Sequence, residues 1–202
     1  MNSPAPICLP VNPRSKKLAR DWAGAGPTDH FVQFYRTDDY LIECLSAYVA
    51  DGLEKGDAVL VIATPSHRLA VEDRLRMKRV NVTFATAQRQ YVSLDAEEVL
   101  AKFIVDGRPD PEAFQHVVGG IVRQVTAEGR KLRAFGEMVA LLWQAGKRDA
   151  ALGLEELWNE LGSEHAFALF CAYPQALVDA KDAGPSLEHI CRAHSRVISL
   201  SA

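Results

Sequence analysis

Ala58-Val59-Leu60-Val61-Ile62-Ala63 is an unbroken apolar run, rich in β-branched residues, that stops against Thr64-Pro65. A strand with apolar side chains at every position has no solvent face. It fits the centre of a parallel sheet covered by helices on both sides. On its N-terminal side, Leu41, Cys44, Leu45, Tyr48 and Val49 recur at helical spacing behind a Thr37 cap and an acidic first turn at Asp38 and Asp39. Gly52 is placed to end that helix in a left-handed conformation, before a turn at Glu54-Lys55-Gly56-Asp57. On its C-terminal side, Thr64-Pro65 starts a helix that runs to about Lys78.

The alternation extends in both directions. His30-Phe31-Val32-Gln33-Phe34-Tyr35 reads as the first strand, and Val80 to Ala85 and Gln90 to Leu94 as later ones. Asp95 with Glu98 opens a helix containing Val99, Leu100 and Phe103. Asp110-Pro111 opens another, with the stripe Phe114, Val117, Val118, Ile121, Val122 and Val125, closed by Gly129. Leu132 to Met138 is a strand; Leu152, Leu154, Leu157, Trp158 and Leu161 mark a helix closed by Gly162; Ala166 to Ala172 is the last buried strand. An amphipathic helix is expected from Ser186 to Ile198. Repeated strand-helix alternation means an α/β domain of three layers with a mainly parallel sheet. The expected division is a disordered leader over 1–28, one domain over 29–180, and a C-terminal amphipathic helix over 181–202 that could serve a partner.

The 202 residues carry a formal charge of −3, which gives no electrostatic footprint for nucleic acid. No apolar run reaches the roughly 20 residues of a membrane helix. Basic residues near the N-terminus (Arg14, Lys16, Lys17, Arg20) are followed by no apolar signal segment, so a cytoplasmic protein is expected. Cys8, Cys44, Cys171 and Cys191 lack CxxC spacing. Cys44 and Cys171 lie in apolar segments as reduced thiols, and no disulfide framework is expected.

Open α/β sheets bind ligands beyond the carboxyl ends of their strands. That rule selects Tyr35-Arg36-Thr37, Thr64-Pro65-Ser66-His67, Gly136-Glu137-Met138 and Cys171-Ala172-Tyr173-Pro174. No GxxxxGK[ST] and no GxGxxG occurs, and Asp38 and Asp39 occupy the helix start where a phosphate would need amides and a lysine. Neither a nucleophile elbow nor a catalytic triad can be assembled. His189, Cys191 and His194 invite a metal reading, but only Cys191 and His194 share a helix face, and two ligands make no closed site.

Several motifs in order give the chain a family likeness. They are His30-x-x-x-Phe34-Tyr35, Gly52-Leu53-x-x-Gly56-Asp57, Ala63-Thr64-Pro65-x-His67, Arg133-Ala134-Phe135-Gly136-Glu137-Met138-Val139, Leu154-Glu155-x-Leu157-Trp158-Asn159 and Cys171-Ala172-Tyr173-Pro174. Over about His30 to Pro174 the sequence resembles the MEDS family, the sensory domain named after methanogens, methylotrophs and the repressor DcmR. The resemblance implies a RecA/KaiC-like sheet that has lost its phosphate loop, with Glu137 at a strand end where the ATPases place an acidic ligand. It further implies binding of a small molecule, including hydrocarbon derivatives, and signalling to a transcription factor or histidine kinase.

The candidate ligand-binding residues are His30, Phe34, Tyr35, His67, Arg133, Glu137, Met138, Cys171 and Tyr173. Each also has a packing role to weigh: Glu137 could simply pair with Arg133, Trp158 lies on a helix stripe, and Cys171 is a small buried apolar residue. The expected function is non-catalytic, regulatory sensing of a small molecule, with no cofactor and no metal. The partner would be a histidine kinase, response regulator or sigma-factor regulator, without direct nucleic-acid or membrane contact. Homo-oligomerisation stays open. Two alternatives are a protein-interaction module, with an apolar patch around Leu187, Ile190, Val197 and Ile198, and a residual nucleotide binder.

Overall fold

A computed structural model describes Trp22 and residues 26–178 and 184–198. Most of the expected leader and the link from 179 to 183 lie outside the described residues. Strand β1 (His30–Tyr35) leads into helix α1 (Asp38–Glu54), β2 (Ala58–Ala63) and α2 (Pro65–Met77), as the sequence pattern requires. A short helix α3 (Val82–Ala87) then precedes β3 (Tyr91–Asp95) and α4 (Ala96–Leu100). A two-stranded antiparallel hairpin, β4 (Ile104–Val105) and β5 (Arg108–Pro109), comes next. It is followed by α5 (Pro111–Phe114), a π-helical turn over Gln115–Gly119 and α6 (Gly120–Thr126). Then come β6 (Leu132–Gly136), α7 (Met138–Gln144), α8 (Arg148–Glu164), β7 (Phe167–Pro174), α9 (Gln175–Val178), α10 (Gly184–Ala193) and β8 (Arg196–Ile198).

Six strands form one sheet in the order β3-β2-β6-β7-β1-β8, and every pairing in it is parallel. The apolar run of β2 is wholly buried, as are all six positions of β1. Helix α1 covers one face: Tyr48 sets its ring edge-on to Phe31 and Phe170. Helix α2 lies beside α1, tied by Arg74 to Glu43 at 3.0 Å. Helix α8 covers the opposite face through Trp158, which meets Phe114 of α5 and Phe167 of β7 edge-on. The result is a three-layer α/β domain. Among the described residues no helix is long and apolar enough to cross a membrane.

Several local expectations need correction. Val80 to Ala85 is not a strand. Asn81 caps α3 by accepting from Phe84 N, and Val82 and Ala85, three apart, are its buried residues. The segment after α4 turns at Asp106 (φ 49°) and Gly107 (φ 80°), two left-handed residues in a row that close the hairpin. Gly52 lies inside α1, which runs on to Glu54; the left-handed glycine is Gly56, at φ 81°. Gly162 does not end α8, which continues to Glu164. The C-terminal helix stops at Ala193, and β-branched Val197 and Ile198 join the sheet as β8. The apolar patch expected there is packed away: Ile190 and Ile198 are buried, and Leu187 and Val197 rest on the core. Cys44 and Cys171 are buried and in no disulfide, but Cys191 is disulfide-bonded, which corrects the expectation of a chain without disulfides.

Candidate functional site

Parallel pairing brings the carboxyl ends of β1, β2 and β6 to one edge, where three of the expected residues meet. The backbone N–H of Glu137 donates to Ile62 O at 2.9 Å, extending the β6 ladder by one residue and fixing this carboxylate against β2. Its Oε2 accepts from Thr64 N at 2.8 Å and from Thr64 Oγ1 at 3.2 Å. Its Oε1 lies 2.7 Å from Nδ1 of His67, which Pro65 places in the first turn of α2. On the other side of the ring, His67 Nε2 lies 3.5 Å from Asp38 Oδ1 at the start of α1. Glu137 and His67 are buried, whereas the Asp38 side chain is 73% exposed. The three form a path from solvent to the strand ends.

Contact with Glu137 raises the pKa of His67 above its ordinary 6.5, and Asp38 adds to the effect against the cost of burial. Tyr35, the last residue of β1, is buried beside these carboxylates. Burial first, then Glu137 and Asp38, hold its phenol well above the ordinary range.

Tyr173 does not join this group. Its register partner is Phe34, so Phe34 and Tyr173 share one face of the sheet and Tyr35 faces the other. Tyr173 instead donates its hydroxyl to Glu155 Oε1 of α8 at 2.6 Å and meets Trp143 edge-on. Arg133 is elsewhere again. At the start of β6 it donates to Asp57 Oδ2 and pairs with Asp51 Oδ2, both at 2.8 Å, with its guanidinium over Tyr48 and Trp22. A cavity of about 690 Å³ opens at that amino edge, walled by Trp22, Tyr48 and Arg133. Met138 is fully buried at the start of α7. The single crevice read from the sequence thus divides into separate places.

The remaining two residues, His30 and Cys171, define a second cluster on the α8 face. His30 Nε2 lies 3.3 Å from Cys171 Sγ and 3.3 Å from Glu155 Oε2. Cys171 Sγ is 3.6 Å from that same oxygen, and His194 Nε2 is 3.5 Å from it. All four residues are buried, and their ligating atoms lie within 4.8 Å of one another. Desolvation works to raise the Glu155 carboxyl, but His194, His30 and Tyr173 outweigh it and hold it at about 2. Burial lowers His194 to about 4, and burial with Glu155 beside it drives the Cys171 thiol well up.

Partners outside the cluster settle which imidazole nitrogens carry hydrogen. Asn159 donates its amide N–H to Ala193 O at 2.9 Å, which turns its Oδ1 toward His30 Nδ1 at 2.8 Å. An amide oxygen only accepts, so His30 donates from Nδ1. His194 Nδ1 likewise faces a backbone carbonyl, Ile190 O, at 2.6 Å. In neutral rings, both Nε2 lone pairs therefore point inward.

Glu155, Asn159 and His194 were missed as site residues. The signal lay in the α8 stripe, where Glu155 stands four residues after Ala151 and three before Trp158, an inward position for a carboxylate. His194 was weighed only with Cys191 and His189; His189 is about half exposed and reaches Glu156 at 3.6 Å.

No curated protein matches the sequence. The model of one family, MEthanogen/methylotroph, DcmR Sensory domain, matches residues 29–195, from the residue before β1 to the bend after α10. That span takes in both clusters, from His30 to His194, and with it the chain belongs to the MEDS family of sensory domains.

Proposed function

We propose that this chain is a non-catalytic regulatory domain that takes a small polar molecule at the carboxyl edge of its sheet and relays its presence to a signalling protein. The observation that carries the reading is the Asp38–His67–Glu137 path. An imidazole and a carboxylate buried at a sheet edge cost desolvation energy that apolar side chains would not. Such arrangements concentrate at functional sites. Here the pair ends in an exposed carboxylate, so a ligand bound at Asp38 or His67 Nε2 reaches the ends of three strands through close polar contacts. The starts of α1 and α2 carry two of the three groups, which makes these helices the natural output. Leu69 and Met77 of α2 and Phe84 of α3 are large apolar side chains left exposed, a surface suited to a kinase, response regulator or transcription regulator.

Native mass spectrometry of freshly purified full-length chain tests this. The expected result is a co-purifying small molecule on the wild type that is absent from His67→Ala and Glu137→Ala. A bare wild type that captures the same signalling partner as His67→Ala would replace the reading with a protein-interaction module. Magnesium-dependent ATP binding in calorimetry would replace it with a residual nucleotide binder.

A further inference from the structure

We propose that His30, Glu155, Cys171 and His194 form a closed four-ligand site for a divalent transition metal of the zinc type. The inference stands apart from the carboxyl-edge reading and shares no residue with it.

Acceptors outnumber donors at the centre of the cluster. His30 Nε2, His194 Nε2 and Glu155 Oε2 converge, and in the neutral-ring arrangement set by Asn159 and Ile190 all three are acceptors. One hydrogen, on the Cys171 thiol, faces them. His194 Nε2 has no hydrogen-bond partner, although its side chain is completely buried. A buried acceptor left unpaired is costly. A cation at the centre would serve every one of these atoms at once.

The spacing of the atoms also suits a metal. Zinc bonds of about 2.0–2.3 Å to nitrogen, oxygen and sulfur give tetrahedral edges of about 3.3–3.7 Å. Four of the six separations within the cluster, 3.3, 3.3, 3.5 and 3.6 Å, fall in that range, and all six are within 4.8 Å. Two nitrogens, a thiolate and a carboxylate oxygen suit zinc or cobalt(II) better than magnesium or calcium, which prefer oxygen alone. Cys171 would bind as thiolate, its proton leaving to solvent as the metal enters.

The groups around the four side chains complete the picture. A metal-bound imidazole commonly donates its other N–H to a carbonyl or carboxylate, and bound carboxylates are hydrogen-bonded in turn. Here His30 donates to Asn159, His194 to Ile190 O, and Tyr173 donates to the free oxygen of Glu155. With four protein ligands and no open position, such a site holds structure together and does not activate water. Its ligands come from β1, α8, β7 and the bend after α10, so an ion would fasten the C-terminal segment to the core.

The test uses the full chain, freed of any affinity tag, stripped with chelator and titrated with cobalt(II). One equivalent should give the intense visible bands of a tetrahedral ion together with a thiolate-to-cobalt charge-transfer band, and one equivalent of zinc should displace both. Cys171→Ser should lose the charge-transfer band, Asn159→Ala should weaken binding by about 10- to 100-fold, and His189→Ala should change nothing. If Cys171→Ser fails to fold, the wild-type spectrum decides alone. Weak six-coordinate bands, no charge-transfer band, or a spectrum unaltered in Cys171→Ser would overturn the proposal.

Discussion

His67 and Glu137 touch at 2.7 Å although they are 70 positions apart in the chain, and Asp38 closes on the far side of the same imidazole at 3.5 Å. The contact depends on β2 and β6 being neighbours in register, with Ile62 opposite Gly136. It therefore reports on the carboxyl edge as a whole.

Its first consequence is a pH dependence. Contact with Glu137, and then Asp38, raises His67 above its unfolded value near 6.5. A raised histidine stabilises the fold fully below the unfolded pKa, and that contribution is lost as pH rises through the folded one. The melting temperature of the wild type should fall across that window above pH 6.5. His67→Gln, followed over the same pH series, should flatten that part of the curve. An identical fall in the variant would assign the effect to another group.

Gly52→Ala should destabilise the protein, against the usual gain of about 0.5–1 kcal/mol for alanine within a helix. A Cβ there would lie 2.9 Å from Arg133 Cδ and 3.0 Å from Val59 Cγ2. Val59 belongs to a central strand and has little room to give. A net loss of about 1–2 kcal/mol by urea denaturation is expected, and Val59→Ala in the same chain should recover part of it.

Arg133→Lys should lose about 1.5–3 kcal/mol in the same assay, the worth of a hydrogen bond to a charged group. Two carboxylates, Asp51 and Asp57, are each held at 2.8 Å by different nitrogens of one planar guanidinium. An ammonium cannot span them in that geometry or stack as well over Tyr48. A lysine variant as stable as wild type would show that the fork is dispensable.

Trp158 separates volume from polarity. It is almost fully buried against Phe114 and Phe167, yet its indole Nε1 has no hydrogen-bond partner. Trp158→Ala should cost about 3–5 kcal/mol. Trp158→Phe removes an unsatisfied donor along with some volume and should cost much less. Equal losses would show that the indole nitrogen is paired in solution.

The layers and five of the six strands of the main sheet were legible because β2, β1 and β7 have no polar face to confuse their period, whereas β8 was read as the end of the terminal helix. Errors fell where the run was short. Val80 to Ala85 serves strand or helix equally well, and the Asn81 cap decides it. Asp106-Gly107 carried a hairpin signal, but the capped run from Asp95 to Phe103 drew attention toward a helix. The site was legible in its residue types and not in its grouping. Adjacent strand residues point to opposite faces, so Phe34 and Tyr35 cannot serve one pocket. Glu155 was concealed by position, since a carboxylate within a helix is ordinarily taken as solvated. Only the tertiary arrangement shows it facing two imidazoles and a thiol.

The place of β1 in the sheet has a consequence for how the chain is made. Among the described strands it comes first in sequence, yet its neighbours are β7 and β8, with His30 opposite Leu169 and Phe31 opposite Arg196. Neither neighbour is made until after β2, β3 and β6, which can already assemble. Closing contacts across such sequence separation is slow. A mostly apolar strand, destined for full burial and waiting with both edges open, is the segment most exposed to misassociation during folding. Ser195, which donates both its backbone N–H and its hydroxyl to His30 O, thus arrives after β7 and just before β8, and it latches β1 shut.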